Sequence, residues 1–208
     1  YSDFKIKKNI FFKNYKISKF KQIKFFEDYK IKPNTKKILY VPQNVTHMFK
    51  SKYSFSSDYF YNEQKKICDF LINDIQDNFQ VFFKMYNNLS QNFIESYYPI
   101  HPYIVDKIKS KKNFSFVEEK TIIEFIKKEK PSTIILDYIS TPLWEVIKFP
   151  VNILIFNDNK FFKLNKNFLK LLKKRIYFFN NKKELKKIIH NLNFKKFDNK
   201  QNIKKFIL

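Results

Sequence analysis

The 208-residue chain contains no glycine and no alanine, a single cysteine, a single tryptophan and a single arginine, Arg175. Each absence removes a class of chemistry. Walker-type phosphate loops, GxGxxG dinucleotide turns, GxSxG nucleophile elbows and kinase glycine-rich loops all need glycine at fixed positions, so none can be built here. One cysteine, Cys68, excludes a disulfide scaffold and a cysteine-based zinc site. The three histidines, Cys68 and the acidic residues show no metal-ligand spacing, so no metal and no other cofactor is expected. No apolar run reaches the roughly 18 residues of a membrane-spanning helix. The chain begins at Tyr1 without a signal-peptide-like apolar segment. The expectation is a cytoplasmic protein, processed or cut from a longer one, with a basic surface suited to peripheral contact with the inner membrane.

What the chain does contain is lysine and aromatic residues. Lys and Arg number 42 against 19 Asp and Glu, a formal charge of +23, and 27 Phe and 13 Tyr are present. A hydrophobic content of 44% with 20% aromatics is too apolar for a disordered chain. The basic excess suggests nucleic acid, but its make-up argues otherwise. Gly, Ala and most Arg codons are GC-rich, whereas Lys, Asn, Phe, Ile and Tyr have AT-rich codons. The bias therefore fits an AT-rich genome. Selection for nucleic-acid binding would retain Arg for bidentate phosphate and guanine contacts, so nucleic acid is not the expected partner.

The chain divides into a basic lead-in (1–35), a patterned region (36–192) and a basic tail (193–208). Short apolar runs at 38–41, 79–85, 114–117, 133–136, 151–156 and 176–179 read as strands, most of them buried on both faces. Between them, helices are expected at 58–77, 101–110, 121–128, 141–149, 162–174 and 182–192. On the first, Phe60, Ile67, Phe70, Leu71 and Ile75 form one apolar stripe. Strands alternating with helices predict an α/β fold: a doubly wound, mostly parallel Rossmann-like sheet with helices on both faces. Such sheets bind ligands beyond the carboxyl ends of their strands, where the strand order reverses.

The loops at those ends hold the candidate residues. The strand at 133–136 runs into Asp137-Tyr138-Ile139-Ser140-Thr141-Pro142-Leu143-Trp144-Glu145. Ser140 or Thr141 suits a helix N-cap, and proline suits the first turn. Hydroxyls beside a helix start offer a place for a phosphate or diphosphate, and Glu145 could accept hydrogen bonds from ribose or sugar hydroxyls. An ordinary capped helix with a solvent-facing Glu is the alternative. Thr46 and His47 lie in the loop after the first strand, and Lys84, at the end of the second, is placed to neutralise a phosphate. His101 and His190 read as structural or surface residues, and Cys68 as packing.

The segment Asp137-Tyr138-Ile139-Ser140-Thr141, followed by Glu145 and by the strand Val151–Phe156, resembles the C-terminal half of GT-B-type transferases. It is most similar to a family of bacterial transferases from surface-polysaccharide gene clusters. It is more distantly similar to the CDP-glycerol glycerophosphotransferase and capsule-polysaccharide group. Lys37–Pro42 resembles the first strand of that donor half, and Gln80–Tyr86 the strand ending in a basic residue. Where relatives continue with Pro and His, this chain has Asn87-Asn88; its His101-Pro102 pair comes later.

The resemblance implies a donor-binding domain of the GT-B C-terminal type. It implies a nucleotide-activated sugar or polyol phosphate as donor, and a carbohydrate or lipid-linked acceptor. It assigns Lys84, Asp137, Ser140, Thr141 and Glu145 to donor binding; Thr46 and His47 join them as expected donor contacts from their place in the loop after the first strand. The catalytic base in such enzymes comes from an N-terminal half, of which residues 1–35 are too few to be more than a remnant. Two other functions stay open: a basic RNA- or DNA-binding protein whose aromatics stack on bases, and a non-catalytic relative of the transferases.

Overall fold

The computed structural model describes residues 32–42, 57–75, 79–84, 106, 108–157 and 164–192. In chain order the elements are β1 (Asn34–Val41), α1 (Ser57–Asn73), β2 (Gln80–Phe83), β3 (Phe114–Phe116), α2 (Ile122–Glu129), β4 (Pro131–Leu136), α3 (Thr141–Val146), β5 (Asn152–Phe156), α4 (Lys166–Leu172), β6 (Tyr177–Phe179) and α5 (Lys182–Asn191). The expected strands are all present. The helix expected at 101–110 is described only at Asp106 and from Ile108 to its end, where helical backbone closes in a turn at Ser110. The lead-in before residue 32, the loop carrying Thr46 and His47, residues 85–105 with His101, and the tail from residue 193 lie outside the described residues.

The six strands form one sheet in the order β3-β2-β1-β4-β5-β6, and every neighbouring pair is parallel. This is the doubly wound α/β architecture the alternation predicts. Parallel pairing follows from the connections: each strand is reached by a crossover, and helices cover both faces. Alternate residues of each strand feed two cores. Ile38, Tyr40, Val81, Phe83, Ile135 and Leu154 pack under α1 and α5 with Phe70, Leu71, Leu185 and Ile189. Leu39, Val41, Phe82, Ile134, Leu136 and Ile153 pack under α2, α3 and α4 with Phe125, Leu143, Val146 and Leu172. Burial on both faces is why the strands read as unbroken apolar runs rather than alternating ones.

A chain without glycine must end its turns by other means. Helix α2 opens on a capping box: Thr121 Oγ1 accepts from the Glu124 N–H at 3.1 Å, and Glu124 Oε2 accepts from the Thr121 N–H at 3.2 Å. It closes on Lys130, held left-handed at φ 53°, ψ 51°, a place usually taken by Gly. Asn165 and Asn181 cap α4 and α5 through their side-chain oxygens. Pro131 opens β4, where a missing N–H costs the ladder least.

Arg175 is not at the surface. It is 5% exposed, and one terminal nitrogen donates to the Phe149 carbonyl at 2.7 Å and the Val151 carbonyl at 2.9 Å. Burial draws its guanidinium down to about 10, partly countered by Tyr177. The sole arginine thus ties the α3–β5 turn to the start of β6.

Candidate functional site

The strand order reverses between β1 and β4, which lead away to β2 and β5 respectively. Their carboxyl ends therefore bound the crevice where this architecture receives ligands. The register sets the level of each residue there. Tyr40 pairs with Phe83 on one side and Ile135 on the other, and Val41 with Leu136. Lys84 continues β2 at the level of Val41 and Leu136, and Asp137 lies one residue further out.

Asp137 lies on the α1 side. It is two residues past Ile135, so it leans over Tyr40 as a diagonal neighbour. The Tyr40 hydroxyl donates to Asp137 Oδ1 at 2.6 Å, and Gln64 Nε2, from α1, donates to Oδ2 at 2.7 Å. The carboxylate is 1% exposed. Burial first, then the charge of Asp137, pushes the Tyr40 phenol well above its usual range, so it stays a donor. Cys68 sits in the same core; burial, then Asp137 and Asp69, push its thiol up and keep it un-ionised. Asp137 was expected within reach of a ligand. The structure instead has it anchoring the end of β4 to β1 and α1.

Lys84 lies on the other face. It is 4% exposed, and its ammonium donates to the Glu119 carbonyl at 2.5 Å, its one acceptor among the described residues. Burial pulls its pKa down, partly offset by Glu119 and Glu124. Glu119 is itself ion-paired to Lys128 at 2.6 Å. Lys84 and Asp137 are therefore not partners, since the sheet lies between their side chains. Lys84 does share its face and edge with α3: both α2 and α3 start at the carboxyl edge on that side. Strands β2 and β4 flank β1, so their ends stand about 10 Å apart.

After Asp137 the chain turns through Tyr138 and Ile139 into α3. Ser140 occupies the N-cap position in extended backbone (φ −142°, ψ −174°), and its side chain makes no capping hydrogen bond. Helix α3 has six residues, Pro142 removes one N–H, and the Leu143 N–H is bonded to the Ser140 carbonyl at 3.0 Å. Its dipole and free donors are thus weaker than a long helix start would give. The hydroxyls must contribute more of any anion binding. Pro142, Leu143 and Val146 face the core, leaving Thr141, Trp144, Glu145 and Lys148 along the outer stripe. Glu145 is half-buried there; burial raises its carboxyl, with Lys148 pulling the other way.

Of the expected site residues, Ser140, Thr141 and Glu145 come together on α3. Lys84 shares their edge and face, Asp137 turns away beneath α1, and Thr46 and His47 fall outside the described residues. Sequence reasoning missed Tyr40 and Gln64. Both carried a signal: Tyr40 is the polar-tipped member of an apolar strand, and Gln64 falls at the core phase of α1, three and seven residues before Ile67 and Leu71. Among the described residues no three His, Cys, Asp or Glu side chains gather as a metal site, and no helix is long and apolar enough to cross a membrane. No protein-family model, curated protein or solved structure matches this chain.

Proposed function

We propose that this domain binds a nucleotide-activated sugar or polyol phosphate, as the donor-binding part of a glycosyltransferase-type enzyme of surface-polysaccharide assembly. One observation carries the reading. The sheet reverses at β1/β4, and Asp137 pins the end of β4 there, so the Tyr138–Ser140 turn enters α3 from a fixed strand end. In this role Ser140 and Thr141 hold a phosphate through their hydroxyls. Lys84 supplies the compensating charge as the diphosphate leaves, and Glu145 accepts from a ribose or sugar hydroxyl. Asp137 is a positioning residue. The acceptor and the base come from outside these residues, in keeping with the two-halved enzymes the sequence resembles.

Calorimetric titration with CDP- and UDP-conjugates tests the proposal. Replacing Ser140 and Thr141 together by Ala should weaken binding about 100-fold or more, two hydrogen bonds to a charged group of about 1.5–3 kcal/mol each being at stake. An unchanged affinity would sink it. The nucleic-acid alternative draws on the +23 charge. It loses ground because Arg175 is spent on backbone carbonyls, and because among the described residues most aromatics lie in the two cores. RNA binding with a steep salt dependence would favour it instead.

A further inference from the structure

Among the described residues two large apolar side chains stand out in solvent, Trp144 and Tyr177, each 48% exposed. Tyr177 belongs to the edge strand β6, far from the strand-order reversal. Trp144 belongs to α3, at that reversal. It is the only tryptophan of the chain. Helical side chains lean toward the amino end of their helix, so the indole covers the first turn of α3 rather than the turn behind it. Three residues earlier on the same face is exposed Thr141; beside it is half-buried Glu145, and Lys148 continues the stripe. Hydroxyl, indole and carboxylate thus share one stripe of α3 beside the crevice.

Resting on the donor-binding reading, we infer that Trp144 is the stacking platform for the nucleobase of the donor. The nucleoside end, rather than the transferred sugar, then lies on α3. The chemistry is specific to this juxtaposition. A flat π-face accepts a base at little conformational cost. A carboxylate one residue on can accept from the attached ribose, and the Thr141 hydroxyl lies on the phosphate side. The inference rests on the exposed ring and its neighbours, not on the dipole of a six-residue helix.

Because Trp144 is the sole indole, its emission reports this surface alone. The full chain is titrated with UDP, CDP, ADP, GDP and inorganic diphosphate, followed by calorimetry and by tryptophan fluorescence. The expected result is that the tightest nucleoside diphosphate quenches the emission, whereas diphosphate leaves it unmoved. Trp144→Ala should then weaken nucleoside diphosphate binding about 5- to 150-fold, the range for loss of one base–aromatic stack. Trp144→Phe, which keeps a ring, should lose less. Calorimetric binding with silent emission, or with undiminished affinity in Trp144→Ala, overturns the role of Trp144 and leaves the donor reading standing. No heat with any nucleotide overturns both. An emission shift that follows protein concentration without ligand gives the ring to a contact between copies and overturns the inference.

Discussion

Tyr40 and Asp137 are 97 residues apart in sequence, yet the phenol of one donates to the carboxylate of the other at 2.6 Å in a fully buried site. This hydrogen bond joins the two strands at which the sheet reverses. Gln64 completes it from α1. The crevice is therefore bounded on one side by a side-chain lock rather than by a glycine-rich turn.

Tyr40→Phe removes the donor and leaves Asp137 Oδ1 buried without it. The substitution should cost about 1–3 kcal/mol in urea denaturation and, by loosening the end of β4, weaken donor binding as well. Undiminished stability would mean that the hydroxyl is replaced without cost and that the lock does not organise the crevice.

Lys84 is a buried ammonium whose pKa lies below that of a free lysine, chiefly through burial. A cation with a depressed folded-state pKa binds fewer protons when folded than when unfolded. Its destabilising contribution is present at neutral pH and fades as pH rises through the folded value toward the unfolded one, about 10.4. Wild type should therefore gain stability over Lys84→Met between pH 7 and the alkaline range. At pH 7 the same variant should bind donor more weakly. Weaker stability of wild type with rising pH, relative to Lys84→Met, would contradict the assignment of burial as the dominant cause.

Arg175 tests the meaning of the basic surface. Arg175→Lys keeps the charge but loses the planar fork that reaches the carbonyls of Phe149 and Val151. It should lower stability by about 1–3 kcal/mol and leave donor affinity and residual polyanion binding unchanged. A selective loss of RNA binding at constant melting temperature would instead make this residue a nucleic-acid contact.

Lys130 carries the one described left-handed backbone, φ 53°. A side chain with a Cβ pays about 1–2 kcal/mol there, and a glycine regains part of this at an entropic cost in the unfolded chain. Lys130→Gly should raise the melting temperature by about 2–4 °C, the shift expected for roughly 1 kcal/mol in a domain of this size. A fall would mean that the Lys130 side chain supplies stabilising contacts that outweigh the backbone strain.

Much of the fold was legible in the residues. Ile38-Leu39-Tyr40-Val41 and Thr133-Ile134-Ile135-Leu136 read as strands buried on both faces, and that is what they are. The helix read over 121–128 matches α2, Ile122–Glu129, to within a residue at each end. The helix read over 162–174 runs past its described start, because Leu164 and the Asn165 cap lie before α4; residues 162 and 163 are outside the described residues. The strand after Lys37 was read too short, because Asn34 to Lys37 carry no apolar signal but extend β1 beside the start of β4.

The site was half legible. Ser140, Thr141 and Glu145 lie within six residues of one another, so local spacing alone was enough to group them on α3. Asp137 and Lys84 belong to separate strands, and nothing local records which face of the sheet each side chain takes at a strand end. The sequence by itself determined the alternation of strands and helices, because periods of 2 and 3.6 are properties of neighbouring residues. Only the tertiary structure decided that β1 lies between β2 and β4, that Tyr40 and Gln64 enclose Asp137, and that Lys84 turns to Glu119. Those outcomes depend on crossovers and packing between residues 35 to 97 positions apart, where burial of each polar tip selects the one partner within hydrogen-bonding reach.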